Sequence, residues 1–306
     1  MTTTKSLVTC IASIFAITTY SGVSQAEPVQ LYGKVDVSLQ SSDEGEGRFT
    51  ELKSNSSRFG VKGDYALDHG LSLVYKLEWQ VDVSDESNEK NIKSRNQYVG
   101  IKGNFGEVRL GRHDTALKVS QGKTDLFSDY EADVKHLWQG ENRVNDSISY
   151  LTPSFSGFGA QFTYIVADTK DADDAYSVAV YYGDEALKQR NFYTALAFDS
   201  EVKGYDVVRA TVQFKVADFI VNTMYQHQEE VATKVEKDGY LVGLAYPWQN
   251  FTFKTQYQVM EDDNGASLGV DYKLGKDTKV YVWYSSFDFE QADNTDYLAL
   301  GISHKF

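Results

Sequence analysis

The chain has 306 residues, of which 42% are hydrophobic and 24% charged, and its mean hydropathy of -0.42 excludes a bundle of membrane-spanning helices. Its 44 Asp and Glu residues outnumber its 30 Lys and Arg residues, which argues against nucleic acid as a partner because phosphate binding needs a basic surface. Three prolines against 21 tyrosines and 17 phenylalanines favour strands over helices.

The N-terminal segment 1–26 differs from the rest of the chain. Lys5 precedes a mostly apolar run at 7–17, and the stretch 24–26 has small residues at the spacing that a signal peptidase reads. This pattern predicts a secretory signal peptide, because the run is too short for an uncleaved membrane anchor. Its cleavage would remove Cys10, the single cysteine, and leave 29 Lys and Arg against 44 Asp and Glu. Disulfides and thiolate sites are therefore not expected.

After residue 26 the dominant pattern is alternation of apolar and polar residues. It is clear in the segments 31–39, 71–80, 158–166, 208–214 and 266–274, and this period of two is typical of strands. The number of strands could also be fourteen or eighteen, because the eighth to eleventh candidate strands are less regular than the others. We count sixteen candidate strands, which begin near Gln30, Asn55, Leu71, Ser94, Glu107, Arg143, Phe158, Tyr176, Phe192, Tyr205, Phe219, Gly239, Phe251, Ala266, Lys279 and Tyr297.

The connections and the strand lengths indicate a membrane barrel. Short turns, such as 68–70 and 249–250, alternate with acidic loops, such as 41–53 and 229–238, which is the layout of an outer-membrane barrel. Strands of roughly 9–11 residues can cross a bilayer. A soluble antiparallel sandwich is the alternative, but most strands carry charged residues in mid-strand, and a wide barrel gives them water inside. We therefore predict an all-β protein, a transmembrane antiparallel β-barrel formed by residues 27–306.

Several segments resemble the general trimeric porins of Gram-negative bacteria. They read LYGKVDVSL at 31–39, SRFGVKG at 57–63, SRNQYVGIKG at 94–103, FGEVRLGRHDTALK at 105–118 and NRVNDSISYLTPSFSGFGAQFTY at 142–164. The resemblance implies a sixteen-stranded barrel, a homotrimer, and a location in the outer membrane among lipid and lipopolysaccharide. The terminal Phe306, in register with Leu298, Leu300 and Ile302, resembles the C-terminal strand that the barrel insertion machinery reads.

The segment 113–141 is the longest one without alternation, which sets it apart from the other connections. The resemblance implies that it is a third loop folded into the lumen, with its acids opposite a basic cluster on the facing wall. Such an arrangement gives a strong field across a narrow wet gap. The matching basic positions are Lys34, Arg58, Arg95 and Arg143. The candidate acids are Asp114, Asp125, Asp129, Glu131 and Asp133.

The expected function is a passive, water-filled channel for ions and small hydrophilic solutes, not an enzyme. The five histidines have no metal-ligand spacing, no Ser/His pair lies on plausible neighbouring strands, and no metal or cofactor is expected. A substrate-selective channel, for example for sugars, stays open, as does a barrel that forms no channel. Inward aromatics are sparse, which favours general diffusion over sugar selectivity.

The charges predict a mild cation preference. Four loop acids, Asp125, Asp129, Glu131 and Asp133, match the basic cluster about one for one, so we expect them to offset it. The acids around the outer mouth would then decide the preference. These mouth acids are Asp43, Glu44, Glu46, Asp85, Glu86, Glu229, Glu230, Glu261, Asp262, Asp263 and Asp288.

Overall fold

A computed structural model describes residues 29–84, 91–167, 169 and 173–306. The predicted signal peptide, residues 1–26, lies outside the described residues, as do the mouth acids Asp85 and Glu86. The strands are β1 (Gln30–Asp43), β2 (Arg48–Ser54), β3 (Arg58–Ala66), β4 (Ser72–Val81), β5 (Ile92–Gly103), β6 (Gly106–Asp114), β7 (Arg143–Leu151), β8 (Phe158–Ile165), β9 (Ala175–Gly183), β10 (Phe192–Val202), β11 (Tyr205–Val216), β12 (Phe219–Glu230), β13 (Glu236–Trp248), β14 (Phe251–Met260), β15 (Asp263–Lys273), β16 (Thr278–Asp288) and β17 (Thr295–Lys305).

These strands form one closed antiparallel sheet, in which β1 pairs with β17. β1 also pairs along its length with both β2 and β3, as in the register pairs Val37 with Ser54 and Lys34 with Arg58. β2 and β3 therefore share one strand position in the barrel wall, and the wall has sixteen strand positions. The predicted transmembrane β-barrel of sixteen strands is confirmed.

The break between β2 and β3 is held by inward polar side chains. Ser56 has a positive φ of 52°, and Asn55 Nδ2 donates to Ser38 Oγ and to Tyr281 Oη, both at 2.9 Å. Ser57 Oγ accepts from the backbone N–H of Asp36 at 3.0 Å. These bonds satisfy the backbone and side-chain groups that the interrupted ladder leaves.

The prediction of an acidic loop over residues 41–53 is wrong. β1 continues to Asp43 and β2 begins at Arg48, so residues 44–47 form the connection. Inward Gln40 Nε2 donates to Glu51 Oε1 at 3.4 Å across these strands. A strand that faces water on its inner side tolerates polar residues, so polarity alone does not identify a loop.

The two faces of the wall differ in polarity. Outward Leu31 and Leu39 are 62% and 54% exposed, whereas inward Asp36 and Gln40 are 2% and 0% exposed. The outer face is apolar, as a bilayer requires, and the polar face lines the lumen. The helical segments are short: α1 spans Ala116–Ser120, and 3-10 turns span Asp68–Gly70 and Val134–His136. No helix in the described ranges is long and apolar enough to cross a membrane.

Candidate pore constriction

Segment 115–142 joins β6 to β7 and is bonded to inward-facing groups of the barrel. It begins where Thr115 Oγ1 accepts from the Lys118 N–H at 3.2 Å and caps α1. The Leu117 N–H donates to Ser177 Oγ at 2.9 Å. Further along, Trp138 Nε1 donates to the carbonyl oxygen of Val259 at 2.9 Å. These contacts attach the segment to β9 at one end and to β14 at the other.

Apolar packing holds the same segment against the wall. Phe127 and Ala132 are fully buried beside Trp283 and Phe287 of β16. Removing a large side chain such as these from water contributes roughly 1.5–3 kcal/mol each. Two further clusters complete the contact: Val134 and Trp138 with Met224, Leu241 and Met260, and Ala116 and Leu117 with Ala179, Ala197 and Val207. The inner face of β9 to β17 is therefore largely covered; we call it the covered wall.

The opposite inner face, on β1 and β3 to β7, bears many charged groups; we call it the charged wall. Asp129 of the segment faces it, with Oδ2 at 3.1 Å from Lys34 Nζ and 2.9 Å from Arg58 Nη1. Burial alone would raise the pKa of Asp129, but the charges of Arg58 and Lys34 outweigh burial and hold that pKa well below its usual range. Two of the four predicted basic residues thus meet one loop carboxylate.

Arg95 reaches the lumen through a β-bulge. The pairing of β4 with β5 shifts register between Leu77 and Trp79, and a bulge turns two consecutive residues toward one face. Arg95 Nε then lies 3.0 Å from Glu78 Oε1, while the neighbouring Asn96 donates through Nδ2 to Asp114 at 2.9 Å. Strict alternation would have placed Arg95 and Asn96 on opposite faces.

Asp114 and Arg143 pair with each other on the wall. Arg143 Nη2 lies 2.9 Å from Asp114 Oδ1, and Lys118 Nζ lies 3.7 Å from the same oxygen. Asp114 is the last residue of β6. The prediction that it belongs to the loop acids is therefore wrong; it neutralises part of the charged wall from within that wall.

Asp125 and Asp133 do not meet the basic cluster, contrary to the one-for-one matching that the sequence suggested. Asp125 accepts from the N–H groups of Phe127 at 2.9 Å and Val134 at 3.0 Å. Asp133 accepts from the N–H groups of Asp129 and Lys135, both at 2.9 Å. An irregular segment leaves backbone donors unpaired, and short acidic side chains satisfy them locally. Burial and the nearby Asp133 raise the pKa of Asp125 above its usual range.

Glu131 also has other partners than expected. It forms an ion pair with Lys53 of β2, and His136 Nε2 lies 2.9 Å from its Oε2. Burial opposes ionisation, but the hydrogen bonds from His136 and Lys53 lower the pKa of Glu131 below its usual range. Lys53 was missed because the sequence pattern assigned it to a loop.

Sequence reasoning also missed Glu78 and the anchor of the segment's C-terminal end. Glu78 Oε2 accepts from Tyr32 Oη at 3.0 Å and lies 3.3 Å from Lys76 Nζ. Fully buried Arg209 forms an ion pair with Glu141 at 2.6 Å. Glu78 and Arg209 lie at inward positions of alternating segments, and this alternation was the available signal. Alternation does not show which charges pair across the lumen.

The charged wall has a basic excess. Asp129 adds one negative charge from the segment, and the excess remains. The inward basic residues of β1 and β3 to β7 are Lys34, Arg58, Lys62, Lys76, Lys93, Arg95, Lys102, Arg109 and Arg143, and the inward acids are Asp36, Asp64, Glu78, Glu107 and Asp114.

Known proteins resemble this chain in both sequence and fold. The family model for Gram-negative porins matches residues 12–292. Outer membrane porin protein 32 of Delftia acidovorans is 31% identical over 306 positions, which covers 87% of this chain and 86% of the relative. Major outer membrane protein P.IB of Neisseria sicca is 29% identical over 348 positions, covering 93% of this chain and 96% of the relative.

Solved structures share the fold at lower identity. An anion-selective porin from Comamonas acidovorans superposes with a TM-score of 0.78 at 22% identity, covering 92% of this chain and all of that one. OmpT of Vibrio cholerae in its trimer form gives a TM-score of 0.67 at 16% identity, with 92% of this chain and all of that one covered.

Proposed function

Because this chain belongs to the Gram-negative porin family, whose members are channels of the outer membrane, we propose that it passes ions and small hydrophilic solutes passively and prefers anions. The observation that carries the preference is the basic excess of the charged wall. Of the loop acids in the described ranges, Asp129 pairs with the wall residues Lys34 and Arg58, while Asp125 and Asp133 bind backbone N–H groups. The cation preference expected from the sequence assumed that four loop acids offset the basic cluster, and only one of the four pairs with it.

The wall charges should act on a permeating ion more strongly than the mouth acids do, because they lie closer to its path and in a medium of lower dielectric constant. An ion at the constriction passes close to Lys34, Arg58 and Arg95 in a narrow gap with low-dielectric walls, where fields are concentrated. Among the mouth acids that the structure describes, Glu44, Glu46, Glu261 and Asp262 lie in exposed connections, and the others lie at the outer ends of strands. Salt screens such charges over about 8–10 Å. The wall term should therefore decide selectivity.

Reversal potentials test this preference directly. The purified protein is inserted into planar bilayers under a tenfold KCl gradient. We expect a potential of the sign that chloride permeation gives, and it should persist as salt rises, because the wall charges are less screened than the mouth charges. A potassium-preferring potential at low salt would overturn the assignment of selectivity to the wall.

We further propose that the protein is made with a cleaved signal peptide at 1–26, that it forms a homotrimer in contact with lipid and lipopolysaccharide, and that Phe306 is its assembly signal. The Phe306 N–H donates to the Gly33 carbonyl at 3.1 Å, and the Gly33 N–H donates back at 2.9 Å. A Cβ on Gly33 would lie 2.3 Å from Phe306 Cζ, so glycine leaves room for the terminal ring. The exposed ring at the end of the closing strand supports a role in recognition by the insertion machinery.

A further inference from the structure

A cavity of about 710 Å³ opens near the ends of β1, β3, β4 and β6, on the side of the short turns. In outer-membrane barrels that side faces the periplasm. Lys62, Lys76 and Arg109 line it, together with Tyr98. It lies beyond the constriction for a solute that enters from outside.

Two of its lysines lie directly opposite each other. Lys62 of β3 and Lys76 of β4 are register partners, and like charges at such cross-strand positions destabilise a sheet. Both ammonium groups lie over the ring of Tyr32, at 5.1 Å and 5.6 Å from its centroid. The tyrosine ring stabilises both, but it carries no negative charge to separate them.

The carboxylates nearby leave one lysine uncompensated. Glu78 lies 3.3 Å from Lys76 Nζ. Of the two acids in the cavity lining, Asp64 pairs with Lys102 at 3.5 Å, and Glu107 pairs with Arg109. Within the part of the chain that the structure describes, no carboxylate lies within 4 Å of Lys62 Nζ.

Arg109 extends the basic lining along the same side of the cavity. Its guanidinium carbon lies 4.7 Å from the ring centroid of Tyr98, and Tyr98 is the register partner of Lys76. The order across the sheet is thus Lys62, Lys76 and Tyr98, with Arg109 stacked on the tyrosine.

We propose that this cavity is a subsite for the oxyanion group of a small solute, a carboxylate or a phosphate, held between Lys62 and Lys76. An oxyanion there accepts hydrogen bonds from both ammonium groups and separates their charges, which offsets the repulsion of the facing pair. The proposal deepens the proposed function and rests on the channel admitting anions. A solute that enters from outside is then held on the periplasmic side, after it has passed the constriction.

Single-channel recording tests the subsite. Chloride conductance is measured at constant ionic strength while inorganic phosphate, or in a second arm acetate, is raised in both chambers. Binding predicts a saturable fall in conductance in at least one arm. Lys62→Gln should raise the half-saturating concentration about tenfold, the effect of losing one charge-assisted hydrogen bond, whereas Lys62→Arg should keep saturation.

Lys215→Gln is the matched control. Lys215 is an exposed lysine at the short-turn end of β11, and its register partner is Ile220 rather than a lysine. We expect this variant to saturate like the wild type. A fall in conductance without saturation in both arms, or equal effects of the two glutamine variants, would overturn the subsite. Failure of the proposed anion preference appears separately, as a potassium-preferring reversal potential in the absence of phosphate and acetate.

Discussion

The covered wall and the charged wall are built from the same alternating strands, yet they do different work. On the covered wall, inward positions carry large apolar side chains such as Trp283, Phe287 and Met224, which are buried against segment 115–142. On the charged wall, inward positions carry Lys, Arg and Glu. Inward-facing therefore does not mean water-facing: the segment turns one half of the lumen into a packed core and leaves the other half as the channel.

This difference assigns separate roles to residues only two positions apart. Phe127 packs into the covered wall beside Trp283, and Asp129 binds Lys34 and Arg58 of the charged wall. Apolar packing fixes the position of the segment, and that position fixes where its carboxylate lies. Changes on the two sides should thus be separable by experiment.

The largest effect is expected from Phe127→Ala, which breaks the attachment to the covered wall. Truncating a fully buried phenylalanine costs about 3–5 kcal/mol, enough to loosen the segment while the barrel stays closed. Single-channel currents should become noisy, and trypsin should cleave at Lys123 or Lys135. Phe155→Ala is the control, because Phe155 is 79% exposed. A quiet channel with trypsin resistance like that of the wild type would show that packing at Phe127 does not hold the segment.

A smaller effect, on selectivity alone, is expected from Asp129→Asn. The amide keeps the shape but removes the negative charge that offsets Lys34 and Arg58, so the chloride-to-potassium permeability ratio should rise severalfold. The measurement is the reversal potential. Asp262→Asn, at the exposed mouth, should change it less and mainly at low salt. Equal shifts in the two variants would contradict the dominance of the constriction.

The wild type and Asp129→Asn can also be compared as a function of pH. Because the folded-state pKa of Asp129 is lowered, its charge is present above the usual aspartate range and is lost only when the pH falls through that depressed value. The difference in reversal potential between the wild type and Asp129→Asn should therefore stay constant from neutral pH down to about pH 3, where an ordinary aspartate is already mostly protonated. A difference that vanishes by that pH would mean that Asp129 is not held by Lys34 and Arg58.

The smallest effect is expected from Glu78→Gln within the charged wall. This change removes the carboxylate that binds Arg95 and Lys76, so anion preference should rise, but less than in Asp129→Asn, because Glu78 is nearly buried in the wall. Reversal potentials provide the comparison, with Glu290→Gln in the exposed β16–β17 connection as the control. A fall in chloride preference would show that Glu78 acts by holding Arg95 in place rather than through its charge.

Much of the fold could be read from the sequence because alternation is a local property. The predicted starts at Phe158, Phe192, Tyr205, Phe219 and Phe251 agree with the structure. The strand Arg48–Ser54 was missed because Phe49 and Leu52 are its only large apolar residues and lie on opposite faces, which gives no alternating pattern.

The candidate site was harder to predict, because partners across the lumen leave no local pattern. Alternation could place Lys34 and Arg58 on the inner face, but it could not show that Asp125 and Asp133 bind backbone donors while Asp129 reaches the wall. The bulge that turns Arg95 inward depends on pairing with β4. The sequence also contains a signal for the packing of the segment. Near Met224, Leu241 and Trp283 both faces of the strands are apolar, and these positions mark where the segment packs.

The seam between β1 and β17 has a consequence for folding order. Lys34 pairs with Lys305, and Asp43 pairs with Asp296, so contacts of almost the longest sequence separation that the chain allows are required to close the sheet. Until the final strand arrives, β1 and β16 each present an unpaired edge, which invites pairing with other chains. High contact order makes such closure slow. Exposure of these edges before β17 pairs with β1 would therefore favour aggregation over closure.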